Sequence, residues 1–289
     1  MALYKLNDLE KVLIVSRPSK VCKTPYVADI QLSDGSIVQA HSASLGCCGL
    51  CEKGCYVYAS PMKSNCPQSQ SKVCTYKIYL AEVYESKTID NIDHTNHQLI
   101  GIDPKLAETL TEKALVNNCF PTLANVKQYK REVKFENSRF DFHGIDANDK
   151  EFILEVKNVP LCDYVDVCDK EKKTLEKQGA FNNIKFNDKI SYFPDGYRKK
   201  KGDVVSERAL KHINELKYQL IQKTVHRSII CFVVQRTDNS SFQASNLDPT
   251  YQKAFYDAIR GGVEVIVIVV KWDVNGNAYY WGTINTNML

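Results

Sequence analysis

Residues 138–160 decide the fold, and they read S-R-F-D-F-H-G-I-D-A-N-D-K-E-F-I-L-E-V-K-N-V-P. Apolar and polar side chains alternate over residues 139–145, as they do on a half-buried β-strand. The run D-A-N-D-K that follows consists of turn-forming residues, and a β-rich run resumes over residues 152–159. The pattern therefore predicts a β-hairpin.

This hairpin carries charged side chains at positions that call for an explanation. Asp141 stands between two phenylalanines, while Glu155 and Lys157 lie two residues apart and so share one face of their strand. Two carboxylates and an ammonium group on adjacent strands lose hydration energy unless a partner compensates them. A hard divalent cation held by Asp141 and Glu155 would do so and leave positions open for water and phosphate oxygens. Lys157 would then orient or deprotonate the attacking water, or stabilise the developing negative charge.

The same residues also fit a simpler interpretation. A surface hairpin with an ordinary cross-strand lysine–carboxylate pair would carry this sequence, and such a pair contributes only about 0.2–1 kcal/mol. The pattern D…E-x-K is short and common, so its spacing alone leaves both interpretations open.

Length and composition are those of an ordinary globular protein. The chain has 289 residues, of which 44% are hydrophobic and 25% are charged, enough for one large domain or two moderate ones. Its net charge of +4 is compatible with a nucleic-acid partner without requiring one. Charged residues interrupt the first apolar stretch, and the apolar run 263–270 is too short to span a bilayer. We therefore expect an intracellular protein, cytoplasmic or nuclear, with no membrane partner.

The chain contains 11 cysteines, an odd number that cannot pair completely within one chain. Without a predicted signal peptide, this number favours a reducing compartment and free thiols. Six of the cysteines lie close together in the sequence: Cys47, Cys48, Cys51, Cys55, Cys66 and Cys74. The C-x-x-C spacing of Cys48 and Cys51 is that of a zinc-ligand pair, and the competing interpretation is a set of small thiols in a glycine-rich turn.

The first 85 residues predict an all-β unit. Five short β-prone runs occur there, at residues 13–15, 26–32, 36–41, 56–60 and 75–84. Five short strands suit a small barrel of the oligonucleotide-binding (OB) type. His41, at the end of one run, is either a packing residue or a side chain that faces the hairpin site. The polar residues 86–103 place the domain boundary near this point.

The helices and strands that flank the hairpin can be predicted from their end residues. Asp103 and Pro104 begin a packing helix over residues 105–118. Residues 128–135 predict a strand that leads into the hairpin. Glu132 on this strand is either a third acidic group near the metal or an exposed carboxylate.

Charged segments follow the hairpin. Residues 162–189 predict a solvated loop that could include a helical turn. The basic run beyond them is either solvated or a clamp for phosphate groups, and it consists of Arg198, Lys199, Lys200 and Lys201.

The last part of the chain predicts two helices and two buried strands. Ser206 caps a helix that runs to about residue 224, with Glu207 and Arg208 in its first turn. Asp248 and Pro249 begin the second helix. The apolar strands 228–234 and 263–270 are typical of a sheet that is covered on both faces.

The second half thus reads as helix, strand, strand, strand, helix, strand, helix, strand. That order, with an acid on one central strand and E-x-K on the next, resembles the PD-(D/E)XK restriction-endonuclease-like fold. Motifs along nearly the whole chain resemble those of the sugar fermentation stimulation protein (SfsA) family. They are R-P at 17–18, A-H at 40–41, E-V-K-F at 132–135, S-R-F-D-F at 138–142, E-V-K-N-V-P-L at 155–161, F-P-D at 193–195, S-E-R-A-L-K-H-I-N-E-L at 206–216, V-V-Q-R at 233–236 and D-P-T-Y at 248–251.

The resemblance implies an α/β (α+β) architecture in two domains. A small OB-like β-barrel over residues 1–90 would precede a nuclease-like domain over residues 100–289, in which helices flank a mixed central sheet. It also implies DNA binding, and it places Asp141, Glu155 and Lys157 in the nuclease core motif.

The family motifs contain the remaining candidate residues. Glu132, Glu207 and Arg208 match further polar positions of the family, and we take Glu132 and Glu207 as additional catalytic candidates. Arg139 and His41 also lie within the motifs. With Arg208 and the basic run 198–201, they are our candidates for binding nucleic acid.

Three functions follow from these observations. The first is a Mg²⁺- or Mn²⁺-dependent nuclease that hydrolyses phosphodiester bonds in DNA, with RNA as a second candidate substrate. The second is a non-catalytic DNA-binding regulatory protein of the SfsA type, although a pure binder gains nothing from acids beside a polyanion. The third is a zinc-stabilised interaction module, which rests on the cysteines alone. The sequence leaves the strandedness of the substrate and the oligomeric state open, with a homodimer as one option.

Overall fold

The structure is a computed structural model, and it describes residues 1–43, 47–62, 74–89, 91–135, 138–194 and 204–287. The strands of the first hundred residues are β1 (Ala2–Lys5), β2 (Glu10–Ser16), β3 (Val27–Gln31), β4 (Ile37–His41), β5 (Tyr56–Pro61), β6 (Tyr76–Ile89) and β7 (Ile92–Gly101). The later strands are β8 (Gln128–Phe135), β9 (Ser138–Ile145), β10 (Glu151–Val159), β11 (Cys162–Asp163), β12 (Lys189–Phe193), β13 (Arg227–Val234), β14 (Asn239–Ala244), β15 (Glu264–Trp272), β16 (Asn277–Thr283) and β17 (Asn285–Thr286). The α-helices in these ranges are α1 (Pro104–Val116), α2 (Asp169–Lys177), α3 (Glu207–Ile221) and α4 (Pro249–Arg260).

The largest sheet has seven strands in the order β1-β16-β15-β13-β10-β9-β8. The predicted hairpin is confirmed, because β9 and β10 pair antiparallel from Glu151 with Ile145 to Leu154 with Phe142. At the centre, β10, β13 and β15 are parallel. The two predicted apolar strands, β13 and β15, are buried because helices cover both faces of the sheet.

The helices begin where their sequence caps predict. The side chains of Asp103, Ser206 and Asp248 each accept a hydrogen bond from a first-turn backbone N–H, at the start of α1, α3 and α4 respectively. Helix α1 packs on one face of the seven-stranded sheet. Helices α3 and α4 pack on the opposite face, so the central strands lie between two apolar layers.

The second sheet has six strands, in the order β4-β3-β2-β5-β6-β7. A further parallel pairing joins β4 to β6, through Ala40 with Tyr76 and His41 with Lys77. The pairings of β2, β3, β4, β6 and β5 therefore run in a closed ring, with β7 added outside it. All five β-prone runs predicted in this region are strands of that ring.

Three segments differ from their sequence-based predictions. Residues 86–89 and 91–103, where the sequence places a domain boundary, contain the end of β6, all of β7 and the N-cap of α1. Residues 162–189 are more than a solvated loop, because they contain β11 and α2 and lead into β12. Strand β1 pairs with β16 and so belongs to the seven-stranded sheet. Strands β11, β12, β14 and β17 form the third sheet.

A buried ionic network explains why the polar residues of these segments were wrongly predicted to lie on the surface. Asp238 has no solvent exposure, and its carboxylate accepts hydrogen bonds from Arg236, Lys189 and Asn96. Lys189 also contacts Glu85 of β6 at 2.5 Å. Polar residues of β6 and β7 are therefore interior contacts with the second half of the chain, although by sequence alone they look like surface residues.

We expect the Asp238→Asn substitution to lower the free energy of unfolding by about 3–5 kcal/mol, because it leaves two buried cations without their shared carboxylate. Chemical denaturation at pH 7 measures the change. Asp257→Asn, on the surface of α4, is the control and should leave the midpoint nearly unchanged. A midpoint for Asp238→Asn equal to that of the control would show that the network does not stabilise the fold.

Candidate metal centre

A cleft of about 310 Å³ opens between the first turns of α1 and α3, at the point where β9 and β10 part. It is lined by Pro104, Glu108, Asp141, Glu155, Val156, Lys157, Asn158, Phe193, Ser206, Arg208 and Ala209. The three core residues predicted from the hairpin, Asp141, Glu155 and Lys157, thus lie in one cleft.

The strands part because a side chain replaces a backbone partner. The β9–β10 ladder ends at the pair of Leu154 and Phe142. Two residues beyond Leu154, the Val156 N–H donates to Oδ2 of Asp141 at a distance of 2.7 Å. One carboxylate oxygen of Asp141 is therefore fixed by the backbone of the neighbouring strand. Leu154 and Val156 are buried and belong to the apolar core.

Glu155 is buried, with 2% of its surface exposed. Lys157 Nζ donates to its Oε1 at 2.5 Å, and Nδ1 of His212 contacts the same oxygen. Burial by itself raises the pKa of Glu155, but the charges and hydrogen bonds of Lys157 and His212 outweigh this effect and lower it. The carboxylate is therefore ionised at neutral pH. Its second oxygen, Oε2, is buried and has no hydrogen-bond partner among the described residues.

Asp141 has the opposite electrostatic character. Burial raises its pKa to about 7, helped by the negative charges of Glu155 and Glu108, although the hydrogen bond from Val156 lowers it. The two neighbouring carboxylates therefore resist being ionised together. A bound cation would remove this conflict, since it stabilises both negative charges.

Two further acids extend the cleft. Glu108 of α1, Glu132 of β8 and Asp141 each offer one oxygen, and these oxygens lie within 4.8 Å of one another. Burial, and then the charge of Glu132, raise the pKa of Glu108. These three acids form a group around Asp141, and Glu155 is not one of its members.

Glu132 is held in an unusual backbone conformation. In the β8–β9 pairing it lies between the pairs of Arg131 with Phe142 and Val133 with Phe140, which sets it opposite Asp141. Its φ is 56°, in the left-handed region, which costs a non-glycine residue about 1–2 kcal/mol. Arg139 Nε contacts its Oε2 at 2.6 Å. A strained residue beside an acidic cleft is typical of a functional site.

The remaining predicted residues differ in whether they line the cleft. Arg208 lines the cleft, whereas Glu207, its neighbour on α3, is exposed and is not among the lining residues. His41 pairs in register with Lys77, whose Nζ is 2.5 Å from the carboxylate of Asp103 at the start of α1. The basic run 198–201 lies outside the described residues.

Sequence reasoning missed Glu108 and His212. The α1 sequence predicted only a packing helix, and periodicity does not tell which polar neighbour of an apolar stripe faces a cleft. His212 had a usable signal, because it lies three residues after Ala209 and next to Ile213, on the buried face of α3. Its polarity within an apolar stripe marked it as a residue with a specific buried partner.

A second cavity, of about 870 Å³, lies beside the β6–β7 hairpin and residues 161–189. Its charged side chains already have partners. Lys189 contacts Glu85 and Asp238, while Lys87 donates to Tyr164 Oη at 2.8 Å and lies over the tyrosine ring. The smaller cleft contains Glu155, whose buried Oε2 has no partner among the described residues, so we assign the candidate centre there.

The cysteines do not form a comparable centre within the described part of the chain. No disulfide joins the described cysteines. Among the described residues, the side chains that come together as a possible metal-ligand group are acidic: Glu108, Glu132 and Asp141. A hydrogen bond with Cys47, together with burial, raises the pKa of the Cys51 thiol and disfavours the thiolate that zinc requires. Cys66 lies outside the described residues.

Fold and cleft together define a mixed α/β, sheet-dominated protein with an acidic centre where a hairpin parts. The family model described as "Sugar fermentation stimulation protein RE domain" matches residues 105–168 and 182–276. These two segments make up more than half of the chain, and the chain therefore belongs to the SfsA family.

Individual relatives agree with this assignment. A sugar fermentation stimulation protein homolog of Ruegeria pomeroyi is 29% identical over 254 residues, covering 87% of this chain and 89% of the relative. The homolog of Maricaulis maris is 30% identical over 244 residues, covering 83% of each chain. The solved structure of Pyrococcus furiosus SfsA in complex with Ca²⁺ has the same fold, with a TM-score of 0.72 over all of both chains at 18% identity.

In the described residues, no helix is both long and apolar enough to cross a membrane.

We expect Asp141→Asn to raise the thermal unfolding midpoint of the metal-free protein by at least about 4 °C at pH 8, and by less at pH 5. A carboxyl group with an ordinary pKa of 3.8 and a folded-state value of about 7 destabilises the fold progressively as the pH rises through that interval. Asparagine cannot ionise, but it still offers an acceptor to the Val156 N–H. Scanning calorimetry at both pH values measures the difference.

Asp149→Asn is the control for this experiment, since Asp149 lies on the exposed turn of the same hairpin. Its midpoint should match that of the unsubstituted protein at both pH values. A midpoint for Asp141→Asn that falls equally at pH 5 and pH 8 would contradict the electrostatic conflict described above.

Proposed function

We propose that this protein is a divalent-metal-dependent nuclease that hydrolyses phosphodiester bonds in nucleic acid. The observation that carries the proposal is the state of Glu155. Its carboxylate is ionised and buried, one oxygen is held by Lys157 and His212, and the other has no partner among the described residues. A buried, unsatisfied carboxylate oxygen beside a second acid is suited to bind a cation.

Asp141 and Glu155 would hold the metal, and Glu108 and Glu132 lie close enough to Asp141 to add ligands. All four supply carboxylate oxygens, which hard cations such as Mg²⁺ and Mn²⁺ prefer. The solved SfsA of P. furiosus was obtained with Ca²⁺, another hard cation. When bound, the metal would polarise the phosphate and make a coordinated water more acidic.

Lys157 is suited to act on the charge that develops during hydrolysis. Its ammonium lies in the cleft, and its contact with Glu155 fixes its position. A donor that is already in position stabilises developing negative charge without reorganisation. It would either orient the attacking water or bind a phosphate oxygen, and both roles require the side chain to stay where Glu155 holds it.

The substrate would be a polyanion that enters along α3. Arg208 lines the cleft, and the N-terminus of α3 places backbone N–H groups and a positive dipole at the same end. The ring of β2, β3, β4, β6 and β5 would be the OB-type barrel that the sequence predicts, and such barrels bind single strands. DNA is the first candidate substrate and RNA the second.

The competing function is a DNA-binding regulatory protein that does not cleave. Under that hypothesis, carboxylates clustered beside a polyanion would weaken binding unless a cation neutralised them. The acidic cleft therefore favours catalysis over binding alone.

We expect the purified protein to cleave single- or double-stranded DNA, or RNA, with Mg²⁺ or Mn²⁺ and not with EDTA. Lys157→Ala should reduce the rate by about 100-fold or more, because it removes a positioned positive charge. Glu155→Gln should have at least as large an effect. Lys253→Ala, an exposed substitution on α4, is the matched control and should retain the full rate.

Cleavage that persists in EDTA and in Lys157→Ala would overturn the proposed chemistry. Metal-dependent binding of DNA without cleavage of any of the three substrates would instead support the regulatory alternative. A gel assay with end-labelled oligonucleotides distinguishes these outcomes.

A further inference from the structure

We infer that His212 is a positioning residue for the metal ligand Glu155: from α3 it holds Oε1 and thereby leaves Oε2 to face the cation. This inference rests on the proposed metal site. It assigns a function to a side chain that neither the hairpin motif nor the acidic cluster includes.

Two side chains converge on Oε1 of Glu155. His212 is buried, with 6% of its surface exposed, and its Nδ1 contacts Oε1 of Glu155. Lys157 Nζ donates to the same oxygen at 2.5 Å and lies 3.3 Å from Nδ1 of His212. Two side chains thus meet at one carboxylate oxygen, while Oε2 of the same carboxylate has no partner among the described residues.

Elementary donor and acceptor chemistry assigns the proton on the imidazole. An ionised carboxylate only accepts hydrogen bonds, and an ammonium group only donates them. The contact between His212 and Glu155 therefore requires a hydrogen on Nδ1. The approach of Lys157 to Nδ1 is then not a hydrogen bond but a consequence of their shared acceptor. Oε1 receives two donors, and both are directed by the protein.

This arrangement distinguishes the two oxygens of Glu155. A carboxylate is symmetric, and its terminal torsion is soft, so without fixed donors either oxygen could face the cation. Lys157 alone is a weak constraint because its four-carbon stem is flexible. His212 is rigid by comparison, since its helix is anchored by the buried residues Ala209, Ile213 and Leu216. The histidine is therefore the element that connects the position of α3 to the orientation of the ligand.

The experiment compares two substitutions of similar polarity. In His212→Asn, the side-chain amide nitrogen takes a position close to that of Nδ1 and can still donate to Oε1. In His212→Gln, the amide reaches the position of Nε2 instead. We expect Mn²⁺ binding to weaken by about tenfold or more in His212→Gln and by less than about threefold in His212→Asn, measured by titration calorimetry without nucleic acid.

Two control variants distinguish a failure of this inference from a failure of the proposed metal site. The His226→Gln variant, which changes an exposed histidine just before β13, should bind Mn²⁺ normally. Glu155→Gln should lose the binding. If Glu155→Gln binds Mn²⁺ as the unsubstituted protein does, the proposed metal site fails and the inference fails with it. If Glu155→Gln loses binding but His212→Gln does not, only the role of His212 is overturned.

Equal losses in His212→Asn and His212→Gln would also overturn the inference, because they would indicate that only the packing of the ring matters. A measurement on the unsubstituted protein guards against variants that fail to fold. Nitrogen-15 NMR of the histidine side chains should find a hydrogen on Nδ1 of His212. A deprotonated Nδ1 at pH 7 would contradict the assignment.

Discussion

The site depends on one constraint, which is that Glu155 stays ionised inside the protein. Burial of a charged carboxylate is unfavourable, and the structure offsets it with an ammonium from the same strand and an imidazole from α3. These partners account for only one of its oxygens. Strand β10, which carries Glu155 and Lys157, and helix α3, which carries His212, must therefore keep their relative positions, and the apolar layer between them maintains that arrangement.

The second consequence is an electrostatic conflict at the point where β9 and β10 part. Asp141 is fixed by the Val156 N–H and lies near an ionised neighbour, so its own ionisation is disfavoured at neutral pH. Glu132, in a left-handed conformation, and Glu108 add negative charge. Such crowding destabilises the fold, and the proposed cation would offset that cost by neutralising the carboxylates.

Much of this was accessible from the sequence. Alternation and turn residues predicted the hairpin, and the i, i+2 spacing set Glu155 and Lys157 on one face. Capping residues predicted the starts of α1, α3 and α4, and ordered motifs along the chain identified the family. These features are local, or they are sums of local patterns, and so a single sequence suffices to predict them.

What could not be predicted depends on contacts between distant segments. Asn96 and Lys189 look like surface residues until Asp238 is placed beside them. Glu207 and Arg208 are neighbours in sequence, but successive helical residues point about 100° apart, and only Arg208 lines the cleft. Glu108 lies on α1, and the apolar pattern of that helix predicts only that it packs against the core. Convergence of this kind is a tertiary property, and no spacing within one element encodes it.

The anomalous scattering of Mn²⁺ in crystals of the protein tests most directly whether Asp141 and Glu155 share a cation. We expect one strong manganese peak within coordination distance of both residues, with Oε2 as the Glu155 ligand. A peak elsewhere, or none in the cleft at saturating Mn²⁺, would contradict the claim that these two carboxylates share a cation.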